Sequence, residues 1–310
     1  MALIFSSGGG RLGNQLLNLI HLSAIAYEYK INVYKISDLF ITGKNRALIF
    51  RIDENQVNWK IVSDYSEKST RRRYFLKIFI RLIHFYYYLS PNKISYKLGS
   101  KNNSLKLLFG KSLKSDFSKV KFFEEARKKH IVLSGWGFRD WDLVLKHKKL
   151  IIKNFNKELS SIIKINRKIY EEYLFVHIRR SDFLDVNEFQ ELNFTDEIWL
   201  KSISKVCEVE SIRKVIFFSD SCIDNILFSL QNNNKIDISK IDAHNNFSFE
   251  ELFVYYLSNA KSVICNASTL VLSIAFIHHR NVYLPSKLND FQQVLLDNAH
   301  DSYPASLNWN

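Results

Sequence analysis

Short apolar runs alternate along this chain with longer stretches whose apolar residues recur every three or four positions. The runs at 2–5, 31–36, 130–134, 174–178, 214–218, 262–265 and 281–284 are rich in Ile, Val, Leu and Phe and read as strands. Helical spacing covers 16–29, 157–172, 196–207, 249–258 and 268–278, whereas the region around 90–120 is polar and reads as loop. Strand followed by helix followed by strand implies a parallel, doubly wound sheet. With 310 residues, 46% of them hydrophobic, and only 9 Gly and 3 Pro, the chain can bury two cores of roughly 150 residues each. The division is expected at 153/154, giving α/β halves over 1–153 and 154–310. No internal repeat interrupts this order, and 231–234 marks a surface loop.

Chemistry enters where the run at 173–178 ends. Residues 173–183 read Tyr-Leu-Phe-Val-His-Ile-Arg-Arg-Ser-Asp-Phe. A strand that delivers Arg179 and Arg180 to its carboxyl end places forked, permanently charged donors where open α/β sheets bind ligands. The matching ligand is a phosphate, because guanidinium groups bind its oxygens in pairs and can neutralise a diphosphate leaving group. An Arg-Arg pair serving only as solvated surface charge is the competing reading.

A second signal is the loop Ser-Ser-Gly-Gly-Gly-Arg-Leu-Gly-Asn-Gln at 6–15, set between a short strand and an apolar helix. Gly8, Gly10 and Gly13 satisfy G-x-G-x-x-G, and Asp38 ends the next strand candidate, so a dinucleotide-binding unit is one option. The polar groups of Arg11, Asn14 and Gln15 are not required by that fingerprint.

The loop Gly10-Arg11-Leu12-Gly13-Asn14-Gln15 resembles the Gly-Gly-Leu-Gly-Asn-Gln of bacterial α-1,2-fucosyltransferases (glycosyltransferase family 11) and the Gly-Arg-Phe-Gly-Asn-Gln of protein O-fucosyltransferases. Residues 177–182 match the H-x-R-R-x-D motif of that superfamily. Phe217-Phe218-Ser219-Asp220 is similar to its F-S-D element, Cys265-Asn266-Ala267-Ser268-Thr269 to its S-N-S-T/S-F element, and Leu133-Ser134-Gly135-Trp136 to its L-x-G-Y/W segment. All five fall in the family's order. Leu270-Val271-Leu272-Ser273 stands where the family has an aromatic pair, and Ser181-Asp182-Phe183 replaces its Gly-Asp-Tyr.

The resemblance implies a GT-B-like fold, with two Rossmann-like domains facing each other across a cleft. Its N-terminal domain carries the glycine loop on the acceptor side, and its C-terminal domain binds GDP-fucose. It implies an inverting, metal-independent transfer of L-fucose from GDP-β-L-fucose to a glycan hydroxyl, α-1,2 to galactose in surface polysaccharide synthesis. By the same resemblance Arg179 and Asn14 are catalytic; Arg11, Gly13, His177, Arg180, Asp220, Ser268 and Thr269 bind the donor; and Asp182 supports the arginines. The amides before the helix at Ser268-Thr269 suit an anion. His177 and Asp220 also admit purely structural readings. The general base is unassigned, with Asp185 and Glu188 nearest in sequence. No metal or cofactor is expected. Trp136, Trp141 and Trp199 are candidates for stacking on sugar or for core packing.

The charge of +13 suits nucleic acid, anionic lipid or an anionic nucleotide sugar, and its distribution favours the last two. In 71–89, Arg73, Lys77 and Arg81 recur at i, i+4, i+8 among Phe, Ile, Leu and Tyr. That pattern gives either an interfacial helix on an anionic membrane or a helix packed on the first domain. Three cysteines without metal-ligand spacing argue for a reducing compartment. The N-terminus lacks a signal-peptide pattern, so a cytoplasmic enzyme, peripheral on the inner membrane face, is expected. Its partners are GDP-fucose and a glycan or lipid-linked oligosaccharide acceptor, not nucleic acid. Two other classes stand beside this one: an NAD(P)-dependent oxidoreductase built on the glycine loop and Asp38, and a non-catalytic basic protein that binds nucleic acid or lipid.

Overall fold

The computed structural model describes residues 3–7, 12–41, 44–54, 56–65, 78, 82, 93–98, 105–107, 112–113, 130–135, 141–162, 172–180, 194–232, 236–240, 249–266, 268–278, 280–283 and 285. The chain divides into two compact units, Met1–Ile162 and Ile163–Asn310.

In the first unit β1 (Leu3–Ser7) leads into α1 (Leu12–Tyr29) and β2 (Asn32–Ile41). There follow β3 (Lys44–Ile52), β4 (Val57–Tyr65), β5 (Lys93–Leu98), β6 (Leu105–Leu107), β7 (Ser112–Leu113) and β8 (His130–Gly135), then α2 (Trp141–Lys146) and α3 (Lys148–Ile162). The eight strands form one sheet in the order β4-β3-β2-β1-β8-β5-β6-β7. Its centre, β2-β1-β8-β5, is parallel, and antiparallel strands extend it on both sides. The polar reading of 90–120 is therefore corrected, since β5, β6 and β7 lie there. The helix expected from 157 begins earlier, in α3 (Lys148–Ile162), which contains the expected domain division; the part of that expectation over 163–171 lies outside the described residues.

α1 is buried almost throughout, from Leu16 to Tyr27. A helix sunk between sheet and neighbouring helices needs apolar residues on every side. It begins at Leu12, ahead of the expected position 16, so Gly13 and Asn14 belong to its first turn. It ends where Lys30 takes a φ of 53° and Ile31 N–H bonds the Ala26 carbonyl at 3.3 Å, a Schellman stop made without glycine. The end is tied to the following helices: Glu28 accepts from Lys146 and bonds His147 Nε2, each at 2.7 Å, and Asn154 donates to the Tyr27 hydroxyl at 2.8 Å.

The second unit runs β9 (Tyr173–Ile178), α4 (Asp196–Val209), β10 (Lys214–Ser219), α5 (Asp224–Gln231), β11 (Asp237–Lys240), α6 (Phe249–Asn259), β12 (Ser262–Cys265), α7 (Thr269–His278) and β13 (Asn281–Tyr283). All five strands are parallel, in the order β11-β10-β9-β12-β13. Every residue of β9 and β12 is buried, as central strands covered on both faces require. On one face Phe175, His177 and Phe218 meet Phe253 of α6, with edge-on ring contacts at 5.5, 5.1 and 4.7 Å. Each buried ring contributes about 1.5–3 kcal/mol, and such aromatic pairs add about 0.5–1.5 more. α4 is capped by Thr195 and buries Trp199, Ile203 and Val206. It stops as α1 does, with Ser211 at a φ of 53° and Ile212 N–H on the Cys207 carbonyl at 2.9 Å. Trp199 is 0% exposed and packs edge-on to Phe194, so it is a core residue without a face for sugar. Trp136 and the Trp141 side chain lie outside the described residues.

Each unit is thus a Rossmann-like α/β layer structure. All three cysteines are free, Cys207 and Cys265 buried and Cys222 exposed. Among the described residues no helix is long and apolar enough to cross a membrane.

Candidate active site

In a parallel sheet the residues that follow each strand gather at the carboxyl edge, and a crevice opens where strand order reverses. In the second unit the chain lays down β9, then β10 and β11 to one side, then β12 and β13 to the other. The reversal lies between β9 and β12. The three segments singled out by sequence follow β9, β10 and β12, which are neighbours, so 177–180, 217–220 and 265–269 come together at that one edge.

The backbone after β9 is held by side chains from both neighbours. Asn266, 1% exposed, accepts from Arg179 N–H through Oδ1 at 3.0 Å and donates from Nδ2 to the Arg179 carbonyl at 2.6 Å. Asp220 Oδ1 accepts from Arg180 N–H at 2.8 Å, and Asp220 N–H reaches the Ile178 carbonyl at 3.4 Å. Asp220 therefore serves the arginine backbone, whatever else its exposed carboxylate touches.

The two arginines part company here. Successive residues of an extended chain face opposite sides. Arg180 pairs with the Asp196 carboxylate in the first turn of α4, with Arg180 19% and Asp196 30% exposed, and Asn225 Nδ2 lies 3.5 Å from the other Asp196 oxygen. The Arg179 charge acts on His177 instead. Arg180 is thus ion-paired with Asp196, which is the arrangement a scaffold charge at this strand end would have. Sequence reasoning gave that supporting role to Asp182, which lies outside the described residues, as do Asp185 and Glu188.

His177 is buried against Phe218 and Phe253, and its Nδ1 has no hydrogen-bond partner among the described residues. Burial first, and then the Arg179 charge, pull its pKa down to about 4, with Asp220 opposing weakly. The ring is therefore neutral at physiological pH.

At the end of β12 the chain turns into α7. The Ser268 carbonyl accepts the Leu272 N–H at 3.0 Å, which makes Ser268 the N-cap. Burial pushes the Cys265 thiol up to about 12, and a backbone hydrogen bond from Ser268 moderates this slightly. The Ser268 N–H is thus turned onto sulfur. The amides of Thr269, Leu270 and Val271 are those that helix geometry leaves without a carbonyl inside the helix; the Thr269 side chain lies outside the described residues.

In the first unit the order β2-β1-β8-β5 places a second reversal between β1 and β8, whose ends are in register at Ser7 and Ser134. The glycine loop follows β1 at this edge, and Gly135 ends β8. Gly13 is buried in the first turn of α1 and Asn14 is its next residue; the Asn14 side chain, Arg11, Gly8 and Gly10 lie outside the described residues. Asp38 does not end a strand: β2 continues to Ile41 and pairs Asp38 with Ala47. Among the described residues no group of three or more His, Cys, Asp or Glu is arranged to hold a metal ion.

Sequence reasoning missed Asp196 and gave Asn266 no part of its own. Asp196 had no motif to mark it, although Thr195-Asp196-Glu197 does carry the signature of a capped, acidic helix start.

No family model matches the chain, and no curated protein matches it. Among solved structures it is similar to POFUT1 in complex with GDP, at 13% identity and a TM-score of 0.46 over 90% of this chain and 95% of the other. It is similar to a variant of Arabidopsis thaliana FUT1 in complex with GDP, at 10% identity and a TM-score of 0.48 over 91% and 70%. It is also similar to the E. coli heptosyltransferase WaaC with ADP, at 13% and 0.39 over 91% and 86%. Likeness at this level leaves the description of the fold to the strand order of each unit.

Proposed function

We propose that this protein is an inverting glycosyltransferase that moves L-fucose from GDP-β-L-fucose to a glycan hydroxyl, without a metal ion. The observation that carries the proposal is the convergence of three separate sequence segments on the strand reversal between β9 and β12, where Arg179 is held by its own backbone. In the displacement the acceptor oxygen bonds to the anomeric carbon as the bond from that carbon to the β-phosphate oxygen breaks. The hydroxyl proton leaves with a base, and the electron pair departs on GDP. Charge builds on the diphosphate, and Arg179 is the group that meets it. The opening amides of α7 assist. Asn14, with Arg11 and Gly13, is assigned to the sugar and pyrophosphate by resemblance; the base stays unassigned, with Asp185 and Glu188 nearest in sequence to the motif. An α-1,2 linkage to galactose in a surface polysaccharide, and a cytoplasmic location, belong to the same proposal.

Calorimetry in EDTA tests it. GDP is expected to bind with a dissociation constant between micromolar and millimolar, while NAD and a short RNA give no heat. An absolute need for a divalent ion would overturn the metal-independent mechanism, and NAD binding in place of GDP would favour the oxidoreductase.

The basic stripe at 71–89 lies outside the described residues except for Ile78 and the exposed Leu82. As an interfacial element it should draw the enzyme to anionic vesicles at low salt and release it at high salt. Replacing Arg73, Lys77 and Arg81 by Gln should abolish that binding; equal cosedimentation of the two proteins would end the membrane reading.

A further inference from the structure

β12 stops pairing with β9 at Cys265, opposite His177. Its backbone then leaves the sheet to enter α7, so the ladder should fray there and leave the end of β9 without a neighbour on that side. It does not, because the Asn266 side chain stands in for the missing peptide group. Its amide presents one acceptor and one donor in a single plane, as a peptide does, and both reach the main chain of Arg179, at 3.0 and 2.6 Å. Asp220 does the same for Arg180 N–H from the β10 side. Of the four common polar side chains of suitable size, Asp and Glu cannot donate, and Gln carries an extra methylene that a site 1% exposed has no room to fold away.

We infer that Asn266 is a positioning residue for Arg179: it extends the sheet by one register position and so fixes where the guanidinium emerges. The inference rests on the diphosphate reading of the site. A side chain that merely satisfied buried polar groups would stabilise the unit without regard to what residue 179 is. A positioning residue acts through Arg179, and its effect should vanish once Arg179 is gone.

A double-mutant cycle on GDP affinity separates the two. Asn266→Ala and Arg179→Lys are each expected to weaken GDP binding by about 10-fold or more, and the double variant to lie within about 3-fold of Arg179→Lys alone. Amide hydrogen exchange supplies a reading that needs no ligand: the Arg179 amide should lose protection in Asn266→Ala while those of Phe175 and Val176 keep theirs. Should Asn266→Ala not fold, Asn266→Asp keeps the acceptor for Arg179 N–H, loses the donor to its carbonyl, and is expected to show the same coupling. Wild-type protein that binds no GDP would sink the functional reading and this assignment with it. Wild-type protein that binds GDP, with additive losses and unchanged Arg179 protection, would sink the role of Asn266 alone.

Discussion

Arg179→Lys is expected to lower fucosyl transfer by roughly 10² or more while leaving the fold intact. The backbone at 179 is held by Asn266 from outside the side chain, so exchanging the side chain does not loosen the strand end. What changes is the head group. Lysine keeps one positive charge but loses the planar fork that can bridge two phosphate oxygens at once, and an ammonium is more strongly hydrated. The deficit should fall chiefly on turnover, because the charge that the fork meets grows as the bond to the β-phosphate breaks. Initial rates with GDP-fucose and an accepting glycan, together with circular dichroism of the variant, give the answer. Near-normal turnover by a folded Arg179→Lys enzyme would remove Arg179 from the mechanism.

The same substitution at the next position should act differently. Arg180 is paired with Asp196, and Arg180→Lys perturbs the seating of α4 against the end of β9 before it perturbs any phosphate. The sequence contained the reason. Thr195-Asp196-Glu197 carries the signature of a helix start with carboxylates in its first turn, which is where a guanidinium at a neighbouring strand end finds a partner. What it could not supply was the pairing. Asp196 lies beyond an intervening stretch without strong periodicity, and Asn266 reaches Arg179 across 87 residues of chain, a pairing that only the order of strands brings about. The continuous apolar runs at 174–178 and 262–265 were legible because a strand buried on both faces has no polar row to disguise it. β3 and β4 were not, since charged and polar residues are interspersed through 44–52 and 57–65 and interrupt the apolar pattern that marks a strand. α1 was read too short for a different reason. Gly13 looks like a loop residue, with a helix penalty of about 1 kcal/mol, but the burial of the helix that follows outweighs that cost.

Acidification should destabilise the second unit through His177. Its imidazole is buried against Phe218 and Phe253, with burial and the Arg179 charge both opposing protonation, and its pKa stands at about 4 against 6.5 for an unhindered histidine. Between those values the unfolded chain takes up a proton that the folded chain refuses. The contribution of the neutral ring is therefore fully present above pH 6.5 and is lost as pH falls toward 4, by about 3 kcal/mol over the whole window. Carboxylates titrate in the same range, so the comparison has to be with a variant that differs only at this ring. His177→Phe keeps an aromatic of similar size in the cluster and removes the ionisation. Its denaturant midpoint should drop less than that of the wild type between pH 7 and pH 4.5, and parallel curves would show that the ring is not desolvated as described. The variant also decides between the donor-binding and the purely structural reading of His177. GDP affinity preserved within a few-fold at pH 7 would leave the ring in the core, and a collapse of affinity in a folded His177→Phe protein would put it on the ligand.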